Sequence, residues 1–174
     1  MAVLASVTGE MRLTLRLLGR SYDPFQKDLE WFNYELSVEA CRRADVSGNE
    51  PVQTASSPPP PSRSTRGNIN RKDLNELLSA LDMLTSENRP LRFEPYDLNF
   101  YFEWSHETPL VYLIVTWFDA ALSPRRFEQR FPSAHVGFRF LTGHDAVVDF
   151  RQALVEESLT AAQAGQPKPS TLLQ

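Results

Sequence analysis

The chain has 174 residues, 41% apolar and 23% charged, a globular mix that excludes a fibrous protein and wholesale disorder and suits one domain with its own core. Eighteen basic against twenty-two acidic residues leave a formal charge of −4, which weighs against a general nucleic-acid binder and makes a basic partner the better electrostatic match. A single cysteine, Cys41, offers neither an internal disulfide nor a Cys-based zinc site.

No apolar run reaches the roughly 18 residues of a membrane helix, and Met1 to Glu10 lacks the basic start and apolar stretch of a signal peptide, so a cytoplasmic protein with a flexible N-terminus over residues 1–10 is expected. From residue 11 to 18, Met11, Leu13, Leu15 and Leu17 alternate with Arg12, Thr14 and Arg16, the pattern of a half-buried strand. A turn around Gly19 and Pro24 leads to a second such strand, with Phe32, Tyr34, Leu36 and Val38 inward and Asn33, Glu35, Ser37 and Glu39 facing water. Residues 44–68 hold five of the thirteen prolines among Ser, Thr, Gln and Gly, and read as a surface insertion. Its run Pro58 to Pro61 favours polyproline II, a conformation that aromatic grooves can bind.

Asn70 followed by Asp73 is a capping pattern, and Leu74, Leu77, Leu78, Leu81 and Leu84 then recur at helical spacing until Pro90 forbids continuation. Three strands follow. Leu98, Phe100, Phe102 and Trp104 alternate with Asn99, Tyr101 and Glu103; Leu110 to Phe118 is apolar on both sides and reads as a central strand with Trp117 in the core; Val136, Phe138 and Phe140 alternate with Gly137 and Arg139. A closing helix is expected from Thr142, with Asp145 as its capping partner and Val147, Phe150 and Leu154 inward, and a disordered tail over residues 161–174. The sequence contains no internal repeat. The sum is an α+β domain over residues 11–160: a single curved antiparallel sheet of five or six strands under two helices, in the order ββ(insertion)αβββα.

Catalytic signatures are missing. His106, His135 and His144 belong to no metal-ligand motif, the seven glycines form no phosphate loop, and there is no Gly-x-Ser-x-Gly elbow. Cys41 lies beside Arg42 and Arg43, which would favour a thiolate, but no base accompanies it. Glu156 and Glu157 point in different directions from the end of the last helix and read as solvated charge, and Glu103 with Glu107 could serve as an acid and base only inside a cleft. The reading is therefore of a protein without catalytic residues, cofactor or metal.

The informative charge feature is a gap. Between Arg92 and Arg125 there is no lysine or arginine, while Glu94, Asp97, Glu103, Glu107 and Asp119 are interleaved with Tyr96, Tyr101, Trp104, Tyr112 and Trp117. Aromatic anchors amid one sign of charge suit protein recognition, since the rings supply buried contact and the charges steer an opposite partner.

Several local features carry a family resemblance. Gly19, Tyr22 and Pro24 form a glycine, aromatic and proline turn; Asp28, Trp31 and Phe32 lead into the second strand; Phe93, Glu94, Pro95, Leu98 and Phe100 lead out of the helix; Val147, Phe150 and Leu154 mark the closing helix. Over residues 11 to 158 this order resembles the WapI family of bacterial immunity proteins, with the Pro-rich insertion standing where a third short strand is expected. The resemblance implies a non-enzymatic protein that binds and neutralises a cognate polymorphic-toxin domain, often a nuclease. Joined to the charge gap, it makes Trp31, Tyr101, Glu103, Trp104 and Glu107 the candidate contact residues for a basic toxin. The other readings are a general scaffold or regulatory domain whose partner engages the Pro-rich loop and which could dimerise through an edge strand, and an enzyme using His106 or His144 with nearby carboxylates.

Overall fold

The computed structural model describes residues 1–21, 30–41, 62–96, 99–119 and 135–164. The strands are β1 (Ala2–Ala5), β2 (Met11–Ser21), β3 (Trp31–Ala40) and β4 (Ser62–Asn70), followed by α1 (Arg71–Glu87); then β5 (Leu91–Phe93), β6 (Phe100–Thr108), β7 (Val111–Asp119) and β8 (His135–Gly143), followed by α2 (His144–Ala164). The class is α+β with two helices and antiparallel strands, as the patterning implies. The single sheet of five or six strands is corrected to two sheets of four, in the orders β1-β2-β3-β4 and β5-β6-β7-β8. Three strands escaped the sequence reading for one reason: β1 and β5 are four and three residues long, and β4 is polar throughout except Ile69, so none of them shows an alternation.

The same element order thus occurs twice, four strands and then a helix, although the sequence repeats nothing. In both halves the helix begins with no connecting residue after the fourth strand. The helices are exchanged: α1 lies against β5 and α2 more than against β4, and α2 lies chiefly against β1 and β2. One apolar core therefore serves both halves, running from Leu13, Phe32, Tyr34 and Leu36 through Leu74, Leu77 and Leu81 to Phe102, Trp104, Ile114 and Phe150. Tyr34 meets Phe100 edge-on at 5.4 Å, and Trp104 meets Phe150 at 5.9 Å.

Polar groups close the seams. At α1 the expected cap is present: the Asp73 amide donates to Asn70 Oδ1 at 2.8 Å, and Asn88 in left-handed geometry ends the helix. At α2 the expected start is corrected. The helix begins at His144, and Thr142 belongs to β8, where its hydroxyl donates to the Ala5 carbonyl at 2.6 Å. The Val7 amide donates to the Leu141 carbonyl at 2.8 Å, so the end of β1 is tied to β8.

Residues 1–10 are not a loose end, because Ala2 and Leu4 are fully buried in β1. The expected insertion shrinks from its far side, since β4 starts at Ser62; residues 42–61, with Pro58 to Pro61, lie outside the described residues. The expected tail loses its first four residues to α2, and residues 165–174 lie outside the described residues. No helix among the described residues is long and apolar enough to cross a membrane.

Candidate functional site

Each sheet has an inner face in the common core and an outer face that no helix among the described residues covers, and the two outer faces differ in chemistry. On the first sheet, cross-strand register sets Arg12 beside Glu39, and Arg16 beside Glu35 beside Arg66, with Thr14, Ser37 and Ser64 between these rows. Arg66 holds Glu35 at 2.7 Å and Arg12 lies 3.7 Å from Glu39. This is a charge-paired polar surface of the kind water solvates well.

On the second sheet the register gives three rows: Tyr101, Trp117, Gly137; Arg92, Glu103, Val115, Arg139; and Ser105, Leu113, Leu141. Here Leu113, Val115, Trp117 and Tyr101 are half-buried and Leu141 is exposed. The centre is Trp117, fixed on three sides. Its ring lies over Gly137 so closely that a Cβ there would fall 2.6 Å from it. Its face stacks on Tyr101, with centroids 5.7 Å apart and planes 19° from parallel. Its Nε1–H donates to Glu103 Oε2 at 3.0 Å. Burial pushes the Tyr101 phenol above its ordinary pKa, with Glu103 and Glu94 adding to the rise and Arg92 opposing it.

The five sequence-predicted contact residues part company here. Tyr101 and Glu103 share the outer face. Trp104 points the other way and is 1% exposed, and Trp31, at 6%, packs edge-on against Tyr96, so both are corrected from surface anchors to packing residues. Glu107 is exposed six residues from Tyr101, about 20 Å along the strand. Trp117 is corrected in the opposite sense, from core to surface. The acidic character of the region is also corrected: Arg92 of β5 stands beside Glu103, and Arg139 of β8 joins the same row beyond Val115, while Asp97 and the Asp119 side chain lie outside the described residues. The face is aromatic and aliphatic with charges of both signs.

Two histidines converge where the sequence kept them apart. The buried Tyr112 shares a hydrogen bond of 2.7 Å between its hydroxyl and His144 Nδ1, and its ring lies 4.4 Å from that of His106. His106 Nε2–H donates to the Leu84 carbonyl at 2.8 Å, satisfying an orphan group in the last turn of α1. Burial raises the Tyr112 pKa. His106 thus ties β6 to α1, and His144 ties α2 to β7; neither lines the cavity of about 670 Å³ along α1 or the one of about 490 Å³ between β2 and α2. Among the described residues no three His, Cys, Asp or Glu side chains gather as a metal site, and Cys41 is free and half-buried. Glu157 is corrected from solvated charge: 13% exposed, it accepts the Leu17 amide at 3.0 Å where the β2 ladder slips between Leu17 and Gly19.

Comparison with protein-family models, with curated proteins and with solved structures finds no match to this chain.

Proposed function

We propose that the protein is a non-enzymatic binding module that neutralises a toxin domain by covering it, as the resemblance to the WapI family implies, and that the outer face of the second sheet makes the contact. The observation that carries this reading is the fixed Trp117, held by Gly137, Tyr101 and Glu103 on a sheet face that no helix among the described residues covers. A ring already locked in place loses little rotamer freedom when a partner lands on it, and such aromatics make up the few residues that dominate binding energy. Leu113, Val115 and Leu141 extend the apolar contact, and Arg92, Glu103 and Arg139 supply directional groups of both signs.

A basic toxin would find no excess of negative charge on this face, so affinity here comes from desolvated aromatic contact more than from steering. Neutralisation calls for nanomolar binding or better, about −12 kcal/mol. The test is titration of the intact protein against the toxin domain encoded beside it. Trp117→Ala is expected to cost about 2 kcal/mol or more of binding, and Tyr101→Ala less. Unchanged affinity in both variants would remove the face, and a wild-type protein that binds no toxin domain would remove the immunity reading itself. A general interaction domain uses the same face on a different partner and differs in one outcome: it does not rescue growth of cells that express the toxin.

A further inference from the structure

We propose that the outward side of α2 is a second contact surface, shaped to receive a basic amphipathic helix of a partner protein. The core-facing side of α2 is complete with Val147, Phe150, Leu154 and Ala161. About 100° around the helix runs a second apolar stripe, Val148, Val155 and Leu159, at the seven- and four-residue spacing of a helix face. Val148 is 41% and Leu159 is 56% exposed, and Val155 is partly covered.

The stripe has two unlike borders. On one side Arg151 reaches α1, where its guanidinium holds Asp82 at 2.7 Å. On the other side stand Asp145, Asp149 and Glu156, all exposed and with no basic group paired to them among the described residues. Arg151 is the only lysine or arginine of α2, and Asp82 already engages it.

This pattern selects the occupant. A second copy of the chain laid antiparallel along the stripe would bring one acidic ridge against another, and one laid parallel would offer the ridge only Arg151, which Asp82 already holds; nucleic acid or an anionic lipid surface would be repelled by the ridge. A helix with apolar residues on one face and lysines or arginines beside them meets both needs, burying Val148, Val155 and Leu159 while its cations reach the three carboxylates. The stripe spans about 16 Å, so three turns of such a helix fill it. The surface lies apart from the Trp117 face and does not depend on it.

The probe is a fluorescent peptide of about 18 residues with leucines at helical spacing and lysines elsewhere, titrated by anisotropy into the full chain. Micromolar binding is expected, and Val148→Ser with Leu159→Ser should weaken it about tenfold or more. Asp145→Asn, Asp149→Asn and Glu156→Gln together should weaken it about tenfold at low salt and much less at about 0.5 M salt. Trp117→Ala should leave it unchanged, which separates this surface from the sheet face. All of these residues but Trp117 are exposed or lie on the outward side, and circular dichroism checks the fold of each variant. Equal binding of a scrambled peptide with the same composition, or full binding by the serine variant, would overturn the proposal.

Discussion

The first and second sheets are built alike inside and unlike outside. Both put bulky apolar residues on the inner face, Phe32, Tyr34, Leu36 and Val38 on β3 against Phe100, Phe102 and Trp104 on β6. Outside, the first sheet carries Arg12, Arg16, Glu35, Glu39 and Arg66 in register, and the second carries Tyr101, Leu113, Val115 and Trp117. Packing constrains the inner faces equally, because both halves share one core. Stability alone is served by either outer face, so the apolar one is the face on which the proposed contact rests.

The largest test of this comparison concerns the shared core. Phe32→Ala and Phe102→Ala, one in each half and both fully buried, should each cost about 3–5 kcal/mol in a single unfolding transition seen alike by fluorescence and circular dichroism. Two separated transitions would show that each half has a core of its own. Next in size is Gly137→Ala, whose Cβ collides with Trp117 and should cost about 1–3 kcal/mol while shifting the tryptophan emission to the red. Gly143→Ala, with nothing within 4 Å of the added carbon, is the matched control. Asn70→Ala removes the α1 cap and should lower stability by about 1 kcal/mol in urea unfolding. Smallest is Glu35→Gln on the polar face, which breaks the pair with Arg66 and should change stability by about 0.5 kcal/mol or less. A larger loss there would mean that the first outer face is held rigid as deliberately as the second.

Inner faces were legible in the sequence because alternation and helical spacing are local signals: β2, β3, α1 and the buried side of α2 follow from Leu13 to Leu17, Phe32 to Val38, Leu74 to Leu84 and Val147 to Leu154. The sheet count was not legible, since pairing β1 with β2 or β4 with β3 depends on contacts that a short or polar strand does not announce. The candidate site was half legible. Tyr101 and Glu103 stood out by residue type, but β7 is apolar on both sides, and nothing local tells Ile114, which is buried, from Trp117, which is not. Gly137 gains its meaning only when β8 lies beside β7. The misjudged acidity has the same origin: a gap in positive charge along the chain was filled in space by Arg92 and Arg139 from the neighbouring strands.

The exchange of helices between the halves has a consequence for biogenesis. The first four strands are made early, yet the helix that seals β1 and β2 follows β5 to β8 in the chain, so a ribosome must make the whole second sheet before that layer can close. Such long-range closure slows folding and leaves Leu13, Leu15 and Leu36 open to aggregation while synthesis continues. Truncation just before His144 would therefore uncover β1 and β2 as well as remove α2.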